Sequence, residues 1–290
     1  MLINQTAVLP ERVVILGSRG FVGRATVDLL RDRGIPLLTI TSDEIDLSVA
    51  GAGDKLAERL LPGDAVLLLS ALTPDKGRDI ATAQKNLRIG EAVAAALIAR
   101  PVAHVVYFSS DAVYGFDTTQ ISESTAVAPT DCYGGMHLMR ELMLKSVVKA
   151  PLAILRCTAV YGAGDTHNSY GPNRFRRQAY KEGRIPLGGQ GEETRDHIYI
   201  HDVAHLVLEV LMHKSAGLLN LASGCSITFW DLATKIAEAA GKPVEIAPSP
   251  RGAPITYRHF DVTGTMKAFP AFVFTPLDRG LAEARAAELG

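Results

Sequence analysis

The chain has 290 residues, 47% of them hydrophobic and 21% charged, with a formal net charge of −1. That is the composition of an ordinary globular protein with room for one large domain or two interlocked ones. The balanced charge argues against a nucleic-acid surface, and the scattered Cys132, Cys157 and Cys225 against a disulfide framework or metal site. The most apolar stretch, 65–72, is too short to span a bilayer. The opening MLINQTAVLP lacks a basic segment followed by an apolar core, so a cytoplasmic location is expected.

Apolar runs of strand length alternate with helical patterns through the first half. Strands are expected at 12–17, 36–40, 64–71, 104–110 and 152–157. Helices are expected at 21–34, 55–61, 79–100 and 133–150, the first closed by Gly34. Strands apolar on both faces and separated by helices imply an α/β fold with a doubly wound parallel (Rossmann) sheet. After about residue 162 turn formers dominate. A short basic helix follows near 174–183, then a strand running into a helix over 196–214, and a helix over 229–241 capped by Ser226 or Thr228. The reading is a dinucleotide-binding domain over 1–165, also receiving 196–225, and a smaller substrate-binding lobe over 166–290.

The segment VVILGSRGFVG places Gly17, Gly20 and Gly23 between the first strand and the first helix. Glycine is needed there for a tight turn, for close approach of a pyrophosphate to backbone N–H groups, and for packing of helix on sheet. The helix N-terminus adds positive potential.

This G-x-x-G-x-x-G spacing resembles the extended short-chain dehydrogenase/reductase family of nucleotide-sugar epimerases, dehydratases and ketoreductases. EIDLS, LLLSALTP, KNLRIGEAVAAAL, FSSDAVYG, LRCTAVYG, GQGEETRDHIYIHDVA and FTPLDRGLAEA each resemble family segments, in the family's order. The resemblance implies a nicotinamide cofactor contacted by Gly17, Arg19, Gly20, Phe21, Val22, Gly23, Ser42, Asp46, Leu47, Ser70, Ala71 and Asn86. A carboxylate ending the second strand would favour NAD, by bonding ribose hydroxyls. Here Ser42 holds the tip, with Asp43 just beyond, and Arg19 could fork a 2′-phosphate. NAD and NADP both stay open, with a lean to NADP.

By the same resemblance Tyr133 is the proton-transferring tyrosine and Ser110 its hydroxyl partner, with Asp111 beside the substrate. Dehydratases of the family carry Asp-Glu where this chain has Asp111 and Ala112, which argues for an epimerase or 4-ketoreductase. The family's lysine, four residues after the tyrosine, lowers the phenol's pKa and holds the nicotinamide ribose. A unit charge about 4 Å away is worth roughly 4 kcal/mol, or about three pKa units. Here that position is His137. Three readings stand open. His137 could act as a weaker, pH-dependent substitute contacting the ribose; it could pack there while something else activates Tyr133; or the site could be catalytically impaired, leaving a nucleotide-binding sensor or partner protein. Gly134 and Gly135 suggest a soft helix start.

Arg195 is expected on the diphosphate of a nucleotide-sugar substrate, with Asn173, Arg174 and Arg251 nearby. No metal, nucleic acid or membrane partner is expected. The family's long helices imply a homodimer through 79–100 and 133–148, although the stripe Met136, Met139 and Met143 reads more readily as core.

Overall fold

The computed structural model describes residues 1–4, 6–168, 171–252 and 254–289. Its first half runs β1 (Arg12–Leu16), α1 (Phe21–Asp32), β2 (Leu37–Ile40), α2 (Ala52–Ala57), β3 (Asp64–Leu68), α3 (Ile80–Ala99), β4 (His104–Ser110), β5 (Gln120–Ile121), α4 (Cys132–Val147) and β6 (Leu152–Cys157). The second half runs β7 (Ala159–Tyr161), α5 (Gly171–Glu182), β8 (Arg184–Gly188), β9 (Thr194–Tyr199), α6 (Ile200–Met212), β10 (Gly217–Leu221), β11 (Ser226–Thr228), α7 (Phe229–Ala239), β12 (Glu245–Ser249), β13 (His259–Phe260), α8 (Thr263–Ala268) and α9 (Leu277–Leu289).

The main sheet has six strands in the order β10-β6-β4-β3-β1-β2, all parallel to their neighbours. Its strands are apolar on both faces because helices cover both. Val27 and Leu30 of α1 and Val203, Leu206 and Val210 of α6 pack one side. Leu56 of α2, Val93 and Ala96 of α3 and Leu144 of α4 pack the other. The chain leaves β1 for β2, then crosses back to β3 on the other side of β1. That reversal creates the crevice at the carboxyl ends of β1 and β3 where sheets of this kind bind ligands.

Local chemistry sets the helix ends. The Asp79 carboxylate accepts from Thr82 N at 2.7 Å to start α3, and Asp131 accepts from Gly134 N at 2.8 Å to start α4. Of the two candidate caps for α7, Thr228 is the one that serves, accepting from Asp231 N at 3.0 Å. Gly34, just past α1, takes the left-handed conformation at φ +67°.

β10 and α6 return to the main sheet, β10 beside β6 and α6 against α1. Residues 171–188 and 229–249 gather elsewhere, where α5, α7, β8 and β12 enclose Phe175, Ile185, Leu187, Leu232 and Ile236. A separate three-stranded sheet, β11-β9-β7, has β9 at its centre. No helix among the described residues is long and apolar enough to cross a membrane.

One buried ion pair fixes α4. Arg156 of β6 donates to both oxygens of Glu141 at 2.9 and 2.7 Å, and Ser109 of β4 adds a third bond at 2.7 Å. The helix that carries Tyr133 is thereby tied to two strands.

Candidate active site

Gly17 ends β1 at φ +100°, and a Cβ there would stand 2.8 Å from the backbone N of Ser70. Gly23 lies against the loop itself: its Cβ would fall 2.2 Å from the Gly17 carbonyl oxygen. At Gly20 the nearest atom is 3.4 Å away, so the loop's outer face stays open at the helix start. These three environments match the three tasks of a dinucleotide cradle: turn, open approach and helix packing. Gly23→Ala is expected to cost about 1–3 kcal/mol by overpacking and to weaken dinucleotide binding more than tenfold. Calorimetric titration with the cofactor beside urea unfolding checks both.

Other expected cofactor residues divide. The Phe21 ring is buried in the smaller body's core, so only its backbone belongs to the helix start; Val22 packs partly there as well. Asp46 accepts from Ser48 N and Oγ at 2.9 and 2.7 Å and so holds the turn after β2, while Leu47 is buried. Ala71 is half-buried in the segment just past β3. Asn86 is corrected from contact to support: its amide bonds both N and O of Leu72, at 2.8 and 2.9 Å, fixing the loop after β3. Arg19 donates to Asp43 at 2.5 Å and to Ser42 Oγ at 3.1 Å, so its guanidinium is already engaged at the tip of β2.

Ser110 and Tyr133 line one cleft of about 460 Å³. The Ser110 hydroxyl accepts from Ala112 N at 3.1 Å and donates to Asp111 Oδ1 at a long 3.5 Å. Tyr133 sits at the start of α4, held by the Asp131 cap. Gly134 is no soft spot: a Cβ there would stand 2.1 Å from the Ala112 carbonyl oxygen, so glycine lets α4 close onto the turn after β4.

His137 is a correction. Its side chain faces inward and is only 2% exposed. Nδ1 bonds the Tyr107 hydroxyl at 2.7 Å, and Nε2 has no hydrogen-bond partner among the described residues. Burial, and secondarily the charge of Arg140, holds its pKa well below the usual imidazole range. The ring meets Tyr133 edge-on at 4.6 Å between centroids. A neutral imidazole enclosed in this way favours the packing reading of His137 over a pH-dependent substitute for lysine.

The cleft continues from Asp111 to Arg174, Arg195 and His197. Burial raises the Asp111 pKa, opposed by Arg258 and Arg195. Arg258 is fully buried and donates to the Asp111 and Gly115 carbonyls at 2.9 and 3.0 Å, so it shapes the turn that presents Asp111. Arg195 donates to Thr256 Oγ1 at 2.6 Å, and its guanidinium lies 5.9 Å from the centre of the Phe116 ring. Two expected substrate residues are corrected. Asn173 is fully buried and bonds Gly162 N and Val160 O at 3.0 and 3.3 Å, a brace between α5 and β7. Arg251 pairs with Glu192 and with Glu193, the latter at 3.0 Å, so its charge is already balanced. Ser169 and Tyr170 of the expected NSYGP loop lie outside the described residues.

The cleft also holds residues that sequence reasoning passed over: Arg78 in the loop before α3, Phe116, Phe175, Phe229 and His197. His197 had a signal, since strand positions two apart share a face and Arg195 was already singled out. Arg258 and Tyr107 had none, because their partners lie far away in sequence. No group of His, Cys, Asp and Glu among the described residues is arranged to hold a metal ion.

Three solved structures show the same fold. UDP-glucose 4-epimerase of Thermus thermophilus, a complex with NAD, superposes with a TM-score of 0.84 at 20% identity, covering 96% of this chain and 99% of that one. UDP-N-acetylglucosamine 4-epimerase of Methanobrevibacter ruminantium, in complex with UDP-N-acetylmuramic acid, gives 0.84 at 23%, covering 97% and 98%. MoeE5 in complex with UDP-glucose and NAD gives 0.83 at 22%, covering 96% and 100%. The model of the NAD dependent epimerase/dehydratase family matches residues 13–222, the span from β1 through β10 that holds the glycine loop, Ser110, Tyr133 and Arg195. The resemblance first drawn from the glycine loop, Ser110 and Tyr133 therefore holds along most of the sequence, and the chain belongs to the NAD dependent epimerase/dehydratase family.

Proposed function

We propose that the chain is an NAD-dependent epimerase or 4-ketoreductase acting on a nucleotide-activated sugar. The observation that carries this is a single cleft whose lining joins Ser110 and Tyr133 to the cations Arg78, Arg174 and Arg195. Guanidinium groups in one cleft suit a diphosphate, and the phenylalanines suit a sugar or base. Ala112 supplies no second carboxylate beside Asp111, which supports redox at a sugar hydroxyl over removal of water.

Bound NAD would supply hydride transfer. Tyr133 takes the proton from the sugar hydroxyl as the ketone forms, and gives it back when the hydroxyl is restored. Ser110 donates to the same oxygen and holds it in line. Arg195 fixes the diphosphate so that the sugar ring reaches Tyr133. An epimerase returns the hydride to the opposite face; a ketoreductase performs only the addition.

NAD is favoured over the NADP first suggested by Arg19. Asp43 is largely exposed beside Arg19, and Glu44 follows it. A 2′-phosphate would bring nearly two further negative charges to a cation already paired with a carboxylate, whereas ribose hydroxyls can donate to Asp43. The outer faces of α3 and α4, where Ile98, Met139 and Leu142 are exposed while Met136 is core, support a homodimer.

Tyr133→Phe is expected to reduce turnover at least about 100-fold while NAD binding persists. Assays on a panel of nucleotide-sugars with NAD, followed by product chromatography, decide it; undiminished turnover in the variant would sink the mechanism. A second reading, a nucleotide-binding partner protein without turnover, is favoured by one observation: neutral, enclosed His137 brings no charge to Tyr133. Wild-type protein that binds NAD and a nucleotide-sugar yet converts none of the panel would establish it.

A further inference from the structure

We propose that Arg140 is the counter-charge of the bound dinucleotide, a cation buried behind the phosphate loop and uncompensated until the cofactor arrives. The inference rests on the dinucleotide-binding part of the function proposed above.

Arg140 has no exposed surface. Its stem lies in the seam between α3 and α4, which Gly90 keeps open: a Cβ at Gly90 would stand 2.9 Å from Arg140 Cγ. The head passes 5.0 Å over the Tyr107 ring, and Nη2 donates to the Ser70 carbonyl at 2.9 Å. Nε and Nη1 are buried with no hydrogen-bond partner among the described residues. No carboxylate there pairs with it. Glu141, next on the helix, is engaged by Arg156 and Ser109, with Lys145 at 3.8 Å. A buried, unpaired cation is among the least favourable groups a fold can hold, and a stability role does not explain it.

Its position supplies the reason. Ser70 follows β3, and its backbone N is the atom that a Cβ on Gly17 would meet at 2.8 Å. The guanidinium therefore lies one residue's thickness behind the loop that receives a pyrophosphate, at the crevice where the sheet reverses. His137 lies three residues earlier on the same helix and Tyr133 seven, so all three share one face. Neutral His137 brings no charge to this face, and Arg140 does. Arg140 touches no open surface and acts through the Ser70 carbonyl and through space, which makes it a positioning residue.

Arg140→Met and Arg140→Lys separate charge from packing. The measurements are the melting temperature of the cofactor-free protein and NAD affinity by calorimetry. Arg140→Met is expected to bind NAD about 10- to 100-fold more weakly, while its cofactor-free melting temperature stays level or rises. Arg140→Lys is expected to keep affinity within a few-fold of wild type. If Arg140→Met does not fold, Arg140→Gln replaces it, with the same expected loss of affinity. Unchanged NAD affinity in a folded variant without the charge overturns the inference, as does an equal loss in Arg140→Lys. Failure of the wild type to bind NAD at all would instead overturn the function proposed above.

Discussion

Between pH 7 and pH 5 the chain is expected to lose several kcal/mol of folding stability, with buried His104 and His197 contributing about 2 kcal/mol each and His137 acting in the same direction. His104 is 1% exposed, and burial pushes its pKa down to about 4, although Nε2 bonds the Ser215 carbonyl. His197 is pushed to about 3 by burial, with Arg195 adding to the effect, and neither ring nitrogen has a hydrogen-bond partner among the described residues. His137 is held well below the usual value, again mainly by burial. In the unfolded chain each ring takes up a proton near pH 6.5; in the fold it does not. Below that pH the unfolded state binds more protons, so stability falls as pH falls, at about 1.4 kcal/mol per unit for each ring, down to its folded value. Asp111, Asp196 and Asp202 oppose this with the other sign. Burial raises each, so each returns stability as pH falls through its raised value towards about 3.8. Urea midpoints at pH 7, 6 and 5 measure the slope, and His104→Asn and His197→Phe should each remove about 2 kcal/mol of the loss. A pH slope that neither substitution reduces would mean that the two rings are charged in the fold.

The sheet was legible in the sequence because its signals are local. A run such as RVVIL is apolar on both faces only where two layers cover it, and the glycine spacing that follows has one strong structural meaning. The short β8 and β12 were missed because RIPLG and EIAPS carry proline and too few apolar positions to show a period. The site was legible where a residue's own backbone position sets its role, as at Gly17, Ser110 and Tyr133. It was misread where a distant partner decides. Arg251 resembled a phosphate ligand until the fold paired it with Glu192 and Glu193. Gly134 resembled a soft helix start until the Ala112 carbonyl closed against it. His137 could be a pH-dependent substitute for lysine by its place in the motif, and Tyr107, thirty residues earlier, holds it inward.

Installing lysine at His137, where the family's motif carries one, is expected to cost about 3–5 kcal/mol of stability, the penalty for an uncompensated buried charge. The ring is enclosed between Tyr107 and Tyr133, so an ammonium there has no route to water. It would also face Arg140, whose charge already helps depress the His137 pKa, and like charges in a medium of low dielectric repel strongly. Urea unfolding at pH 7 measures the loss; a variant as stable as wild type would show that the pocket is open to solvent. The decisive comparison is the double variant His137→Lys with Arg140→Met, which leaves one cation on that face of α4. If the fold admits a single charge there, the double variant recovers part of what lysine alone loses, with a coupling of about 1–3 kcal/mol. Strictly additive losses would show instead that the two positions are independent. Recovery of NAD affinity together with stability would mean that the positive charge the family places four residues after its tyrosine stands seven residues after it in this chain, with a neutral histidine packed between.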